Sequence, residues 1–165
     1  IKEKNRALVK YVNEALSEQK KKQQSPGEDD KSILYNDLDT ESSDIDKEYE
    51  INKQVFQKLD SLIRRDELYL SADLSREDLV RMAHMNNTRF AKMIKENTGT
   101  NLSGYINELR LNHAIHLLKE HPEYTLRAIA EASGINSMPT FHSLFKNKTG
   151  MTPSEFKKTQ MDMKQ

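Results

Sequence analysis

The side chains best suited to do chemistry in this sequence lie in two short stretches, Asn87 to Lys95 and Met138 to Lys146. In each, large apolar residues recur at helical spacing: Phe90, Met93 and Ile94 in the first, Phe141, Leu144 and Phe145 in the second. They claim the buried face of an amphipathic helix. Left outward in the first stretch are Asn87, Thr88, Ala91, Lys92 and Lys95, with Arg89 beside them. Left outward in the second are Met138, Pro139, Thr140, His142, Ser143 and Lys146. Amides, hydroxyls and an imidazole can hydrogen-bond the edges of bases in the major groove, and cations suit phosphates. In the first stretch Thr88 and Lys92 are expected at base edges, Ala91 against a thymine methyl, and Arg89 and Lys95 on phosphates. Asn86 and Asn87 are equally suited to capping the helix.

Catalysis finds little here. His113 and His116 are three apart on one predicted helix and His121 follows, but no clustered carboxylate or thiolate joins them, and the chain has no cysteine. A solvated helix face is the better reading, and no metal site is expected. There is no Gly-rich phosphate loop and no nucleophile in a recognisable context, so neither catalytic residues nor a cofactor are expected. Nothing enclosing enough for a small-molecule site is foreseen either.

The elements that must position the two stretches are legible from their ends. Ser75-Arg76-Glu77-Asp78 and Thr152-Pro153-Ser154-Glu155 have the form of capping boxes, and Gly99 and Gly150 suit the left-handed residue that closes a helix. An internal repeat links them. A spacing of 51 pairs Phe90 with Phe141, Lys95 with Lys146, Thr98 with Thr149 and Ser103 with Ser154, while upstream a spacing of 50 pairs Leu79 with Ile129 and Met85 with Ile135. Each copy reads as helix, tight turn, helix, over 75–97 and 125–148, with a longer helix over 102–119 between them. No alternating strand pattern occurs, which makes the fold all-α. Arg110, on the joining helix, is expected to tie the halves together rather than to bind a ligand.

The formal net charge of zero conceals three segments: net +4 over 1–22, net −7 over 23–48 and net +3 over 49–165. The first, with Leu8, Tyr11, Val12, Ala15 and Leu16 at helical spacing, reads as an amphipathic helix. Residues 23–46, acidic and poor in apolar side chains, read as a disordered linker. A domain follows over 47–160, leaving 161–165 as a tail. Its positive charge concentrates on the two units, net +2 over 86–99 and net +3 over 134–158, as a nucleic-acid surface requires.

At this point the sequence resembles the DNA-binding domain of the AraC/XylS family of bacterial transcription regulators. The resemblance covers roughly Tyr49 to Lys158 and rests on Ile129-Ala130, Gly134-Ile135, Phe141, Phe145-Lys146, Gly150-Met151-Thr152-Pro153 and Phe156-Lys157, with Leu102, Tyr105-Ile106, Arg110, Ala114 and Leu117-Leu118 similar to the family's long joining helix. Ile135 stands for the family's usual Phe, and Phe156-Lys157 for Tyr-Arg. The resemblance implies two homeodomain-like helix-turn-helix subdomains joined by a long helix. It also implies that Pro139, Thr140, His142 and Ser143 face bases while Lys146 approaches phosphate. The function implied is sequence-specific transcriptional regulation in the cytoplasm, more often activation, with double-stranded DNA and RNA polymerase as partners. The 1–22 segment is similar to the stretch just inside the membrane in a Bacteroidetes subgroup with a membrane-spanning sensor, and homodimerisation through that helix or an upstream region fits the same picture. The competing expectation is a protein-interaction module that keeps the fold without specific DNA binding.

Overall fold

The computed structural model describes residues 37–163, with side chains from Ser43 onward. These residues form seven α-helices and one 3-10 turn, with no strand among them. In chain order they are α1 (Asp37–Arg65), the 3-10 turn (Leu68–Leu70), α2 (Arg76–Ala83), α3 (Asn87–Thr98), α4 (Leu102–Glu120), α5 (Leu126–Ala132), α6 (Met138–Thr149) and α7 (Pro153–Met163). Among these residues no helix is long and apolar enough to cross a membrane.

One boundary differs from expectation. Residues 37–46, assigned from composition to the linker, are the first turns of α1. Composition measures how much surface a segment can bury, whereas a helix already anchored by Val55, Leu59, Leu62 and Ile63 extends into its neighbours without a new nucleation cost. Carboxylates near a helix N-terminus are favoured by its dipole. The extension buries little: Ile45 is 64% and Tyr49 47% exposed. The predicted 1–22 helix and the remainder of the linker lie outside the described residues, whereas 161–163 of the expected tail close α7.

The helix ends follow the capping residues. Asn86, Asn101, Thr125 and Ser137 each accept from the backbone N–H three residues on, starting α3, α4, α5 and α6. Ser75 accepts from Asp78 N at 3.1 Å, but the short Asp78 side chain takes the Ser75 hydroxyl at 2.7 Å rather than reaching the cap backbone. The longer Glu155 completes the box, its carboxylate accepting from Thr152 N at 2.7 Å. Those bonds hold the Glu155 carboxyl below its ordinary range.

α4 divides the interior. Tyr105, Ile106 and Leu109 on its first half close a core with α1, α2 and α3; Leu111, Ala114 and Leu118 on its second half close another with α5 and α6. A helix serving two cores on different sides must be apolar around much of its circumference, and α4 is. Polar ties reinforce the packing. The Tyr105 hydroxyl donates to Asp60, which also holds Arg64 at 2.8 Å, and burial raises the Tyr105 pKa so that the donor stays protonated. In the second half Lys148 bonds Glu108 of α4 at 2.7 Å, and Lys157 donates to the Tyr124 carbonyl at 2.6 Å.

Candidate nucleic-acid interface

Each unit places a short helix and a turn behind a twelve-residue helix that turns its apolar stripe inward: Phe90, Met93 and Ile94 on α3 and Phe141 and Phe145 on α6 are withdrawn from water, while Leu144 of α6 is partly buried. The opposite face of each is open. On α3, Asn87, Thr88, Ala91, Lys92 and Lys95 are exposed; on α6, Pro139, Thr140, Ser143 and Lys146 are exposed. Side chains that can read a duplex thus stand on equivalent faces of the two repeat copies.

Three positions carry additional information. Arg89, expected on a phosphate, turns back toward α1: its Nε donates to Asn52 Oδ1 at 3.0 Å and lies 3.6 Å from a Glu48 carboxylate oxygen. Asn52 is itself buried, with Nδ2 unpartnered, so it fixes the guanidinium rather than following it. Met138 is not an outward residue; it is partly buried against the second core. It lies three and seven residues before Phe141 and Phe145, the same helical stripe, so the spacing itself places it inward. His142 is half-buried, with its ring edge-on to Phe141 at 6.2 Å between centroids, which leaves part of the imidazole on the open face.

Among the remaining positions, Lys92 lies 3.8 Å from Glu96 one turn along, an exposed pair that holds it weakly. The Asn87 carbonyl accepts from Arg76 at 3.4 Å, so Asn87 begins α3 while Asn86 caps it at 2.8 Å. Thr140 donates from its hydroxyl to Ser137 at 3.0 Å. Two of the three histidines on and after α4 are otherwise engaged: His113 packs edge-on against Tyr69, burial lowering its pKa, and His121, just past the helix end, stacks on Tyr124 while meeting Glu123 at 3.1 Å; His116 is exposed. Among the described residues no three metal-binding side chains converge.

Sequence reasoning did not foresee the Glu48–Asn52–Arg89 contact. Its one visible trace is an asparagine at 52, among the positions that α1 turns to the core.

Comparison with known proteins agrees with this geometry. Residues 79–159 match the helix-turn-helix domain family. The chain is similar to the transcriptional regulatory protein YesN of Bacillus subtilis, 39% identical over 80 residues that cover 48% of this chain and 22% of that one. It is also similar to the RCS-specific transcriptional activator RclR of Escherichia coli, 31% identical over 81 residues covering 49% and 28%. The chain therefore spans well under half the length of these relatives. In fold it is similar to the C-terminal domain of the two-component response regulator yesN from Fusobacterium nucleatum, with a TM-score of 0.56 at 22% identity, covering 63% of this chain and 98% of that one. The matched sequence runs through both helix-turn-helix units and the helix that joins them, which makes residues 79–159 a helix-turn-helix domain, similar to those of the bacterial transcriptional regulators named above.

Proposed function

We propose that this chain reads a specific DNA sequence for a bacterial transcriptional regulator, inserting α3 and α6 into successive major grooves on one face of the duplex, about 34 Å apart. The observation that carries the reading is the duplicated geometry: each helix turns its apolar stripe to a core and presents hydroxyl, amide, imidazole or ammonium groups on the equivalent opposite face. Thr88 and Lys92 reach base edges from α3, with Ala91 against a thymine methyl; Pro139, Thr140, His142 and Ser143 do so from α6. Lys95 and Lys146 meet phosphates, Asn87 lies at the groove edge, and Arg89 joins the phosphate contacts once it leaves Glu48. Met138 supports α6 from behind.

The regulator acts as an activator through contact with RNA polymerase, a reading supported by its similarity to the transcriptional activator RclR. It works in the cytoplasm, as a monomer or as one arm of a homodimer assembled outside the described residues. Selection from a random oligonucleotide pool tests the reading: an enriched two-part motif is expected, with affinity falling linearly in log-log terms as salt rises. Affinity no better than that for random DNA would leave only the protein-interaction reading.

A further inference from the structure

Away from the reading faces, the two units meet at a small junction built from backbone. Gly134, in the left-handed region at φ +77, sits in the turn between α5 and α6. A Cβ there would stand 2.8 Å from the Leu70 carbonyl oxygen and 3.0 Å from both the Tyr69 carbonyl oxygen and Arg110 Nε. Arg110 spans the same place, donating from Nε to the Tyr69 carbonyl at 2.6 Å and from Nη2 to the Ser71 carbonyl at 2.9 Å. One turn further along α4, His113 packs edge-on against Tyr69. The joining helix, the 3-10 turn of the first half and the inter-helix turn of the second therefore converge on one guanidinium.

The first repeat copy supplies the control. Its counterpart of Gly134 is His84, also left-handed at φ 50 but exposed. A side chain is accepted at this position, where it is open to solvent. At 134 both the backbone angle and the carbonyls of the other half demand glycine.

A straight helix holds two attached bodies at a fixed separation but resists rotation about its own axis only through their packing against it. A second tie off that axis removes the rotation. We propose that the Arg110–Gly134 junction fixes the angle between α3 and α6, making both positioning residues that set which spacing of two half-sites the protein accepts. The inference rests on the DNA-reading proposal for its DNA consequence, though not for its geometry.

Two measurements on the full chain test it, with Arg110→Lys, which keeps the charge but loses the fork, and Gly134→Ala. The first is made without DNA. Since the chain has no cysteine, spin labels placed through Ala91→Cys and Asn147→Cys are unique, and the distance distribution between α3 and α6 can be read directly. A narrow distribution in the parent that broadens or shifts in either variant is expected; an unchanged distribution in a folded Arg110→Lys variant overturns the proposal. The second uses selected duplexes with one or two base pairs inserted between the half-sites. A single insertion rotates one half-site by about a tenth of a turn, and the parent is expected to lose about tenfold in affinity where the variants lose about threefold or less. An equal loss of affinity at every spacing, with the parent's penalty retained, marks a merely structural role and overturns the proposal. If no motif is enriched, the DNA-reading proposal fails by itself and the distance distributions still decide the junction.

Discussion

The two helix-turn-helix units repeat one plan with different materials. The first is braced from outside, by a 29-residue α1 whose Glu48 and Asn52 hold Arg89 near the start of α3. The second is braced from within, by the rings of Phe141, Phe145 and Phe156, edge-on in sequence at 5.7 and 5.4 Å between centroids. Even the inserted residue is accounted for: the left-handed residues His84 and Gly134 are 50 apart and the caps Asn86 and Ser137 are 51 apart, so the insertion lies at 135–136. Two copies of one motif have thus specialised, one receiving a helix from upstream and one resting on its own core and on the junction with its neighbour.

The largest expected effect separates those cores. Phe145→Ala removes the ring shared by both aromatic contacts, and a buried Phe-to-Ala change costs about 3–5 kcal/mol. Hydrogen exchange followed residue by residue is expected to lose protection in α5, α6 and α7 while α1 to α3 keep theirs. Joint loss in both units would mean that α4 welds them into one cooperative block. A smaller effect tests where the units are alike. Gly99 and Gly150 close α3 and α6 at φ +73 and +79, with no atom within 4 Å of an added Cβ. Ala at either site carries backbone strain alone, about 1–2 kcal/mol, and chemical denaturation is expected to give matching losses for the two.

Charge distinguishes the units again. Glu48→Gln removes the anion beside Arg89 without disturbing Asn52, so DNA binding is expected to strengthen severalfold at low salt and the salt slope to steepen by about 1. Lys146→Ala in the second unit is expected to flatten it by a similar amount. The smallest effect concerns pH. Equivalent positions open the helices that follow each unit: Asn101, a neutral cap, for α4, and the Thr152–Glu155 box for α7. Because the folded Glu155 pKa is lowered by its bonds to Thr152, its contribution is present above the ordinary glutamate range and is lost as pH falls through the lowered value. Thermal melts of the parent and of Glu155→Gln are therefore expected to converge at acid pH, whereas Asn101→Ala shifts stability by the same amount at both ends.

Much of this was legible in the residues. Capping chemistry is local, so Asn86, Ser75, Thr152, Gly99 and Gly150 announced the helix ends, and the 51-residue period announced the two units. Arg110 could be assigned a structural role because an arginine among apolar neighbours on a joining helix needs partners. What it binds, the carbonyls of Tyr69 and Ser71, was not legible, since backbone acceptors leave no mark in the sequence. The hold on Arg89 is not legible for a similar reason: its partners Glu48 and Asn52 lie 41 and 37 positions away. Met138 was a matter of period, its spacing to Phe141 and Phe145 already placing it inside. The start of α1 is not legible because composition does not register the continuity of a helix anchored further along.

The central claim is that both units read bases. It is tested most directly by selecting bound sequences for the parent, Lys92→Ala and His142→Ala side by side. The account predicts that each variant relaxes its own group of base positions, the two groups lying about 10 base pairs apart, with the remaining positions unchanged. Relaxation of the same positions by both variants, or of none by His142→Ala, would contradict it.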